Sequence, residues 1–193
     1  MDIVIASHNE DKVKEFRKIL VGYFDNIFSL NDLGITKVVD ETGSTFYENA
    51  YLKAKEIKAL TDYAVLADDS GLVVESINGE PGILSARYAG VNATAEQCRK
   101  KLLSELASEQ DRRAKFVCAL CYISEVGKII KAEGETFGEI TDASFESQGS
   151  NGFGYDCIFY SYDLDTTFAL CSQEQKNKVS HRSRALCELL KNF

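Results

Sequence analysis

Positive charge is in short supply in this chain: 22 Lys and Arg stand against 30 Asp and Glu, for a formal net charge of −8. Nucleic acids and anionic membranes are bound through broad basic faces, so neither is expected as a partner. A small polyanion remains compatible, provided a few cations converge locally. Long apolar runs are missing too, since no segment approaches the roughly 18 residues that a membrane span requires. The chain opens on Asp2 and a short apolar stretch instead of a charged region and a long apolar one, so a cytoplasmic location is expected. The single proline, Pro81, enforces few sharp breaks. No framework of paired cysteines is visible. Cys98, Cys118, Cys121, Cys157, Cys171 and Cys187 are scattered through apolar or helical contexts and read as free thiols of a reducing compartment. Cys118-x-x-Cys121 has a zinc-like spacing, but it lies inside the apolar run Phe116–Ile123 and has no matching second pair. Core packing is expected there.

What is present suffices for a folded core: 193 residues, 45% of them hydrophobic, fit one domain or two lobes sharing a core. Ile3–Ser7 predicts a buried strand, followed by a helix whose apolar positions are Val13, Phe16, Ile19 and Leu20. Thr45-x-x-Glu48 predicts a capping box opening a second helix to about residue 60. Tyr63–Ala67 and Leu72–Ile77 read as strands joined by a turn at Asp68–Gly71, and Asn78–Gly82 carries a strong turn signal. Thr94-x-x-Gln97 opens a third helix to about Ala107. Strands are expected at Lys115–Ile123, Lys128–Glu135, Thr136–Ile140 and Cys157–Tyr160, and a last helix at Arg182–Lys191 with Ser180 as its cap. Elements alternate early and strands dominate later, which predicts an α/β fold with a mixed sheet flanked by helices.

Four stretches could carry chemistry. Ser7-His8-Asn9-Glu10-Asp11-Lys12 sits where a strand feeds a helix, so backbone N–H groups, the Asn9 amide and the Lys12 ammonium could meet phosphate oxygens. It reads equally as an Asn turn beside a solvated Lys. Asp68-Asp69-Ser70-Gly71 offers carboxylates for Mg²⁺ or for taking a proton from water, or simply a polar hairpin turn. Glu41 and Lys53 form a further acid and base, though a lysine at the edge of an apolar stripe can also snorkel to solvent. Gly149–Asp156 places Phe153 and Tyr155 among glycines that let backbone approach a base, with Lys176, His181 and Arg182 as donors. The plain alternative is a glycine turn entering a core strand.

Together these segments resemble the inosine triphosphate pyrophosphatase family, enzymes that clear ITP, dITP and XTP from the nucleotide pool. The resemblance runs through Ala6-Ser7-His8-Asn9 with Lys12 and Glu15, Thr45-Phe46-x-Glu48-Asn49-Ala50 with Lys53, and Ala67-Asp68-Asp69-Ser70-Gly71-Leu72. It continues through Gly79-x-Pro81-Gly82 with Ser85-Ala86-Arg87-Tyr88, then Gly152–Asp156, and ends in Ser180-His181-Arg182. It implies one domain over residues 1–193, built as an elongated α/β fold with two lobes and a cleft between them, and a homodimer. It implies that Ser7, His8, Asn9, Lys12 and Lys53 hold the triphosphate of a purine nucleotide and that Glu41 and Asp69 hold Mg²⁺. Asp69 would activate water, Ser70 would contact substrate, and Phe153, Gly154, Tyr155, Asp156, Lys176, His181 and Arg182 would line the base pocket. Two positions depart from the family: Ser7-His8-Asn9 replaces its usual Thr-Gly-Asn, and Cys157 replaces a proline. The competing readings are a pyrophosphatase for other modified or pyrimidine nucleotides, and a non-catalytic nucleotide sensor.

Overall fold

The computed structural model describes residues 1–142 and 151–193. Gly149 and Ser150 of the glycine-rich stretch therefore lie outside the described residues. Among the described residues seven strands form one mixed sheet in the order β2-β1-β3-β4-β5-β6-β7. β1 (Asp2–Ile5) runs parallel to both β2 (Asn26–Ser29) and β3 (Ala64–Val74), whereas β6 (Phe159–Ser161) runs antiparallel to β5 (Ile129–Ile140) and to β7 (Thr166–Thr167). β4 (Arg113–Ile123) sits between β3 and β5. Among the described residues no helix is long and apolar enough to cross a membrane.

The chain divides into two compact units. The first comprises Met1–Asp69, Cys118–Gly134 and Arg182–Phe193. Its strands bury both faces, as period-two alternation requires of a sheet covered on both sides. On one face Ile3, Ile5, Ala64, Leu66 and Cys118 pack against Val13, Phe16 and Leu20 of α1 (Glu10–Leu20) and against Ala185, Leu186 and Leu189 of α5 (His181–Leu190). On the other, Val4, Val65, Ala67 and Cys121 meet Ala50, Ala54 and Ile57 of α2 (Phe46–Lys58). Phe16 is wholly buried, which by itself contributes about 1.5–3 kcal/mol. Cys118 and Cys121 fall in different clusters because three steps along a strand reverse the side-chain direction. Their thiols are core groups, as expected.

The second unit comprises Ser70–Val117 and Glu135–His181. Cys98, Leu102 and Leu106, carried by and just beyond α3 (Ala95–Glu105), pack with Leu72, Val74, Phe116, Ile158, Phe159 and Phe168. The Phe116 and Phe159 rings lie 4.6 Å apart.

Helix starts follow local chemistry. The Asn9 side chain accepts from the N–H groups of Asp11 and Lys12, Thr45 accepts from Glu48, and Thr94 and Gln97 form a full capping box. The Thr45 box is only half made, because Glu48 turns its carboxylate to the Ser44 backbone and hydroxyl.

Several expectations are corrected. Asp68–Gly71 is no turn: β3 continues through it from Ala64 to Val74. Each carboxylate finds donors on its own side of the strand, so the backbone need not reverse to reach water. Lys128–Glu135 and Thr136–Ile140 likewise form one strand, Ile129–Ile140, along which Thr136 is buried and donates to the carbonyl of Val179. β1 stops at Ile5, and the expected strand at Cys157 begins only at Phe159. Unanticipated were β2 and the short helix α4 (Gln173–Val179), although Ser172-x-x-Gln175 makes a complete capping box at its start.

Candidate active site

In the first unit, β3 delivers Asp68 and Asp69 to opposite faces of the sheet, both buried. Asp68 lies on the side of α1 and α5. Its Oδ2 accepts from Lys12 Nζ at 2.9 Å, and Arg182 Nε lies 4.0 Å away. Arg182 in turn donates through Nη1 to Glu15 Oε2 at 2.8 Å. Burial opposes the charge on Asp68, but Lys12, Lys53 and Arg182 outweigh it and hold the carboxyl well below its ordinary range. Asp68 is thus an anchor between two cations that stays ionised well into acid.

Asp69 lies on the side of α2. Asn49 Nδ2 donates to its Oδ2 at 3.0 Å, and Lys53 Nζ stands 3.8 Å from its Oδ1. Lys53 also donates to Glu41 Oε1 at 2.7 Å. Asn49 and Lys53 are four residues apart on α2, which brings them to one helix face. Burial raises the pKa of Asp69, the nearby charges of Glu41 and Asp68 add to the rise, and Lys53 and the Asn49 hydrogen bond only partly offset it. Lys53 shifts upward as well, because Asp68, Asp69 and Glu41 outweigh its desolvation. Two adjacent carboxylates therefore have opposite proton affinities: Asp68 stays charged and Asp69 is the stronger base.

The pair Glu41 and Asp69 suits a hard divalent cation such as Mg²⁺. Both offer carboxylate oxygen, and an added positive charge would relieve the repulsion that helps raise Asp69. Among the described residues no three His, Cys, Asp or Glu side chains converge into a closed cage. A two-carboxylate set matches an ion that keeps water and takes its other ligands from phosphate.

The first loop is ordered by its own polar groups. Ser7 Oγ accepts from the Asn9 N–H at 3.1 Å, and His8 Nε2 meets the Lys37 carbonyl at 3.0 Å. Because Asn9 Oδ1 is committed to capping α1, its amide nitrogen is the end that can donate to a ligand. Ser70, half-buried, follows Asp69 along β3.

In the second unit, Lys176 is 2% exposed and donates to Asp156 Oδ2 at 2.8 Å. The same oxygen accepts from the Phe153 N–H at 2.7 Å, and Lys176 Nζ lies 5.1 Å from the Phe153 ring centroid. Gly152 adopts φ +80°, and a Cβ there would stand 2.2 Å from Asp156 Oδ2, so only glycine fits. Arg99 Nη1 holds the Gly154 carbonyl at 2.8 Å, and the Tyr155 hydroxyl donates to the Ser85 carbonyl at 2.9 Å. His181 stacks on Phe116 with centroids 4.9 Å apart. Phe153, Gly154, Tyr155, Asp156, Lys176 and His181 thus belong to this unit, whereas Arg182, expected with them, is engaged by Glu15 and Asp68 of the first.

Asn49, Glu15 and Arg99 hold site residues in place without having been singled out for it. The available signal for Asn49 was its spacing from Lys53; Glu15 and Arg99 act at separations of 167 and 55 residues, for which no local pattern exists.

Comparison with known proteins agrees with the resemblance. The dITP/XTP pyrophosphatase of Clostridium perfringens is 44% identical over 198 residues, covering 98% of this chain and 96% of that protein. A Staphylococcus aureus protein of the same name is 45% identical over 185 residues, covering 96% and 92%. The structure of the Staphylococcus aureus Ham1 protein superposes with a TM-score of 0.86 at 44% identity, covering 100% of this chain and 97% of that one. A Mycobacterium abscessus nucleoside-triphosphatase / dITP/XTP pyrophosphatase gives 0.77 at 38% identity, covering 98% and 99%. The family model described as Ham1 matches residues 3–192, and on that near-complete match the chain belongs to the Ham1 family.

Proposed function

We propose that this protein hydrolyses the non-standard purine nucleotides ITP, dITP and XTP to the monophosphate and pyrophosphate. The observation that carries the reading is the placement of two buried neighbouring carboxylates, Asp68 held by Lys12 at 2.9 Å and Asp69 beside a Lys53 that also meets Glu41 at 2.7 Å, an arrangement in which the cations keep Asp68 charged and burial makes Asp69 more basic. A buried carboxylate made more basic, beside a second one that stays charged and holds a lysine, is what water activation beside a polyphosphate needs. Full-length identity to proteins named dITP/XTP pyrophosphatase supports the substrate class.

In this reading Asp69 takes a proton from water as its oxygen bonds to the α-phosphorus and the bond to the bridging oxygen of pyrophosphate breaks. Lys12 and Lys53, with the N–H groups and Asn9 amide at the start of α1, offset the phosphate charge. Glu41 and Asp69 would hold Mg²⁺, which when bound supplies positive charge to the triphosphate. Lys176, oriented by Asp156, would offer N–H donors to the C6 oxygen of hypoxanthine or xanthine. Adenine presents an amino donor at that position, so donor would face donor at a cost in discrimination. The protein would act as a cytoplasmic homodimer, which light scattering of the purified chain tests for assembly.

The deciding experiment is pyrophosphate release from ITP, XTP, GTP, ATP and dUTP with Mg²⁺. ITP and XTP are expected to be preferred, and Asp69→Asn to abolish most of the rate. Equal turnover of ATP and ITP would overturn the specificity, and a fully active Asp69→Asn would overturn the base.

A further inference from the structure

Asn49 is wholly buried in the first unit, on the helix that also carries Lys53. A polar side chain at such a position must have its hydrogen bonds met within the protein. Both of its ends are used. Nδ2 donates to Asp69 Oδ2 at 3.0 Å, and Oδ1 accepts from the Gly43 N–H at 2.8 Å. Gly43 is two residues from Glu41 in a segment without regular secondary structure. The amide thus ties strand β3 to the segment that carries Glu41. No side chain is tolerated on the loop side: a Cβ at Gly43 would stand 2.6 Å from Glu48 Cβ and 2.8 Å from Asn49 Oδ1.

Lys53 spans the same gap one helical turn later, meeting Glu41 at 2.7 Å and Asp69 at 3.8 Å. The two bridges differ in chemistry. The Lys53 bridge is ionic, and an arriving polyanion competes for its ammonium. The Asn49 bridge uses an uncharged amide and a backbone N–H, so an arriving phosphate has no cation there to draw away. It also occupies Oδ2 of Asp69 and turns Oδ1 toward the side of Lys53 and Glu41.

We propose that Asn49 is a positioning residue that maintains the spacing of Glu41 and Asp69 when Lys53 turns to substrate, and that selects Oδ1 of Asp69 as the reacting oxygen. This inference rests on the function proposed above. It concerns a residue that touches neither substrate nor the reacting atoms.

The test uses the full chain with Mn²⁺ as a spectroscopic probe. Binding of Mn²⁺ to the free protein is followed by electron paramagnetic resonance, and pyrophosphate release from ITP is measured on the same samples. Asn49→Leu keeps the number and branching of the side-chain heavy atoms, though with bulkier methyl ends, and removes both hydrogen bonds. It is expected to weaken Mn²⁺ binding about 10–100-fold, the usual cost of losing a group that orients a ligand. The rate constant kcat should fall by a similar factor, with KM for ITP changed less than about threefold, because ground-state binding is retained. Gly43→Ala keeps the Asn49 side chain but drives a Cβ against Asn49 Oδ1 and Glu48, disturbing the loop end of the bridge; it should reproduce the loss of Mn²⁺ affinity and keeps the test open if Asn49→Leu does not fold. Unchanged Mn²⁺ affinity in a folded Asn49→Leu or in Gly43→Ala overturns the assignment, as does a rise in KM with kcat intact. A wild type that binds Mn²⁺ but releases no pyrophosphate from any triphosphate overturns the proposed function instead, and leaves the Mn²⁺ comparison to judge the positioning role.

Discussion

Replacing Asp68 with Asn removes a charge and keeps the shape, so it isolates what the ionised carboxylate does. Its side chain is 2% exposed, with Lys12 Nζ at 2.9 Å and Arg182 Nε at 4.0 Å. Removing one member of a buried ion pair costs about 3–5 kcal/mol, because the remaining charge loses its compensation. Two features bring the cost toward the lower end. The Lys12 side chain is 17% exposed and can turn to water, and Arg182 keeps Glu15 at 2.8 Å. The expected loss at neutral pH is therefore about 3 kcal/mol, or a fall in Tm of about 6–12 °C for a chain of this size. The pH dependence has a definite sign. Because the folded protein holds Asp68 below its ordinary pKa, the unfolded chain takes up the proton first as pH falls. The stabilisation is complete above the unfolded value of about 3.9 and is lost as pH drops toward the depressed folded value. Urea melts of wild type and Asp68→Asn should differ fully at about pH 7 and about pH 5, begin to converge below about pH 4, and merge only as pH approaches the depressed folded value. A difference under about 1 kcal/mol at neutral pH, the size of an exposed pair, would refute the anchoring role. So would a difference that does not change with pH.

Asp69→Asn should act oppositely on stability. The folded protein raises the pKa of Asp69, so the stability it contributes is full below the ordinary carboxylate value and lost as pH rises through the folded one. The variant should melt higher than wild type at neutral pH, lose that advantage in acid, and show kcat for ITP lowered about 10²–10⁴-fold. Lys176→Met fills the same space but leaves the buried Asp156 carboxylate without its cation; urea melts should show a loss of about 3–5 kcal/mol, and ITP kinetics a raised KM. Gly152→Ala should be far more damaging to Tm than Gly154→Ala, since both have positive φ but only the first drives a Cβ into Asp156.

The residues that start the helices were readable in advance because capping is a contact between near neighbours. Thr45 and Thr94 each accept an N–H three residues away, and the apolar periodicity of α1 reports its buried face directly; Asn9, read as a phosphate donor or a turn residue, caps α1 by the same local chemistry. The core role of Cys118 and Cys121 was readable for the same reason, from the apolar run around them. Ser172-x-x-Gln175 carried an equally local signal, and α4 was open to the same reading.

The acidic segment shows where such reading stops. By sequence alone Asp68-Asp69-Ser70-Gly71 was a polar turn as much as a site, because two adjacent acids and a glycine are normally placed in water. The fold keeps the segment extended and buried by supplying partners from far along the chain: Lys12 is 56 residues from Asp68, and Asn49 is 20 from Asp69. The sequence by itself determined where four of the five described α-helices lie, the strand-rich α/β character and the set of charged groups that could act on a nucleotide. Only the tertiary structure decided which charges meet, which of two neighbouring carboxylates stays ionised and which becomes basic. Those outcomes depend on desolvation and on charges within a few ångströms, quantities that exist only once distant segments are packed together.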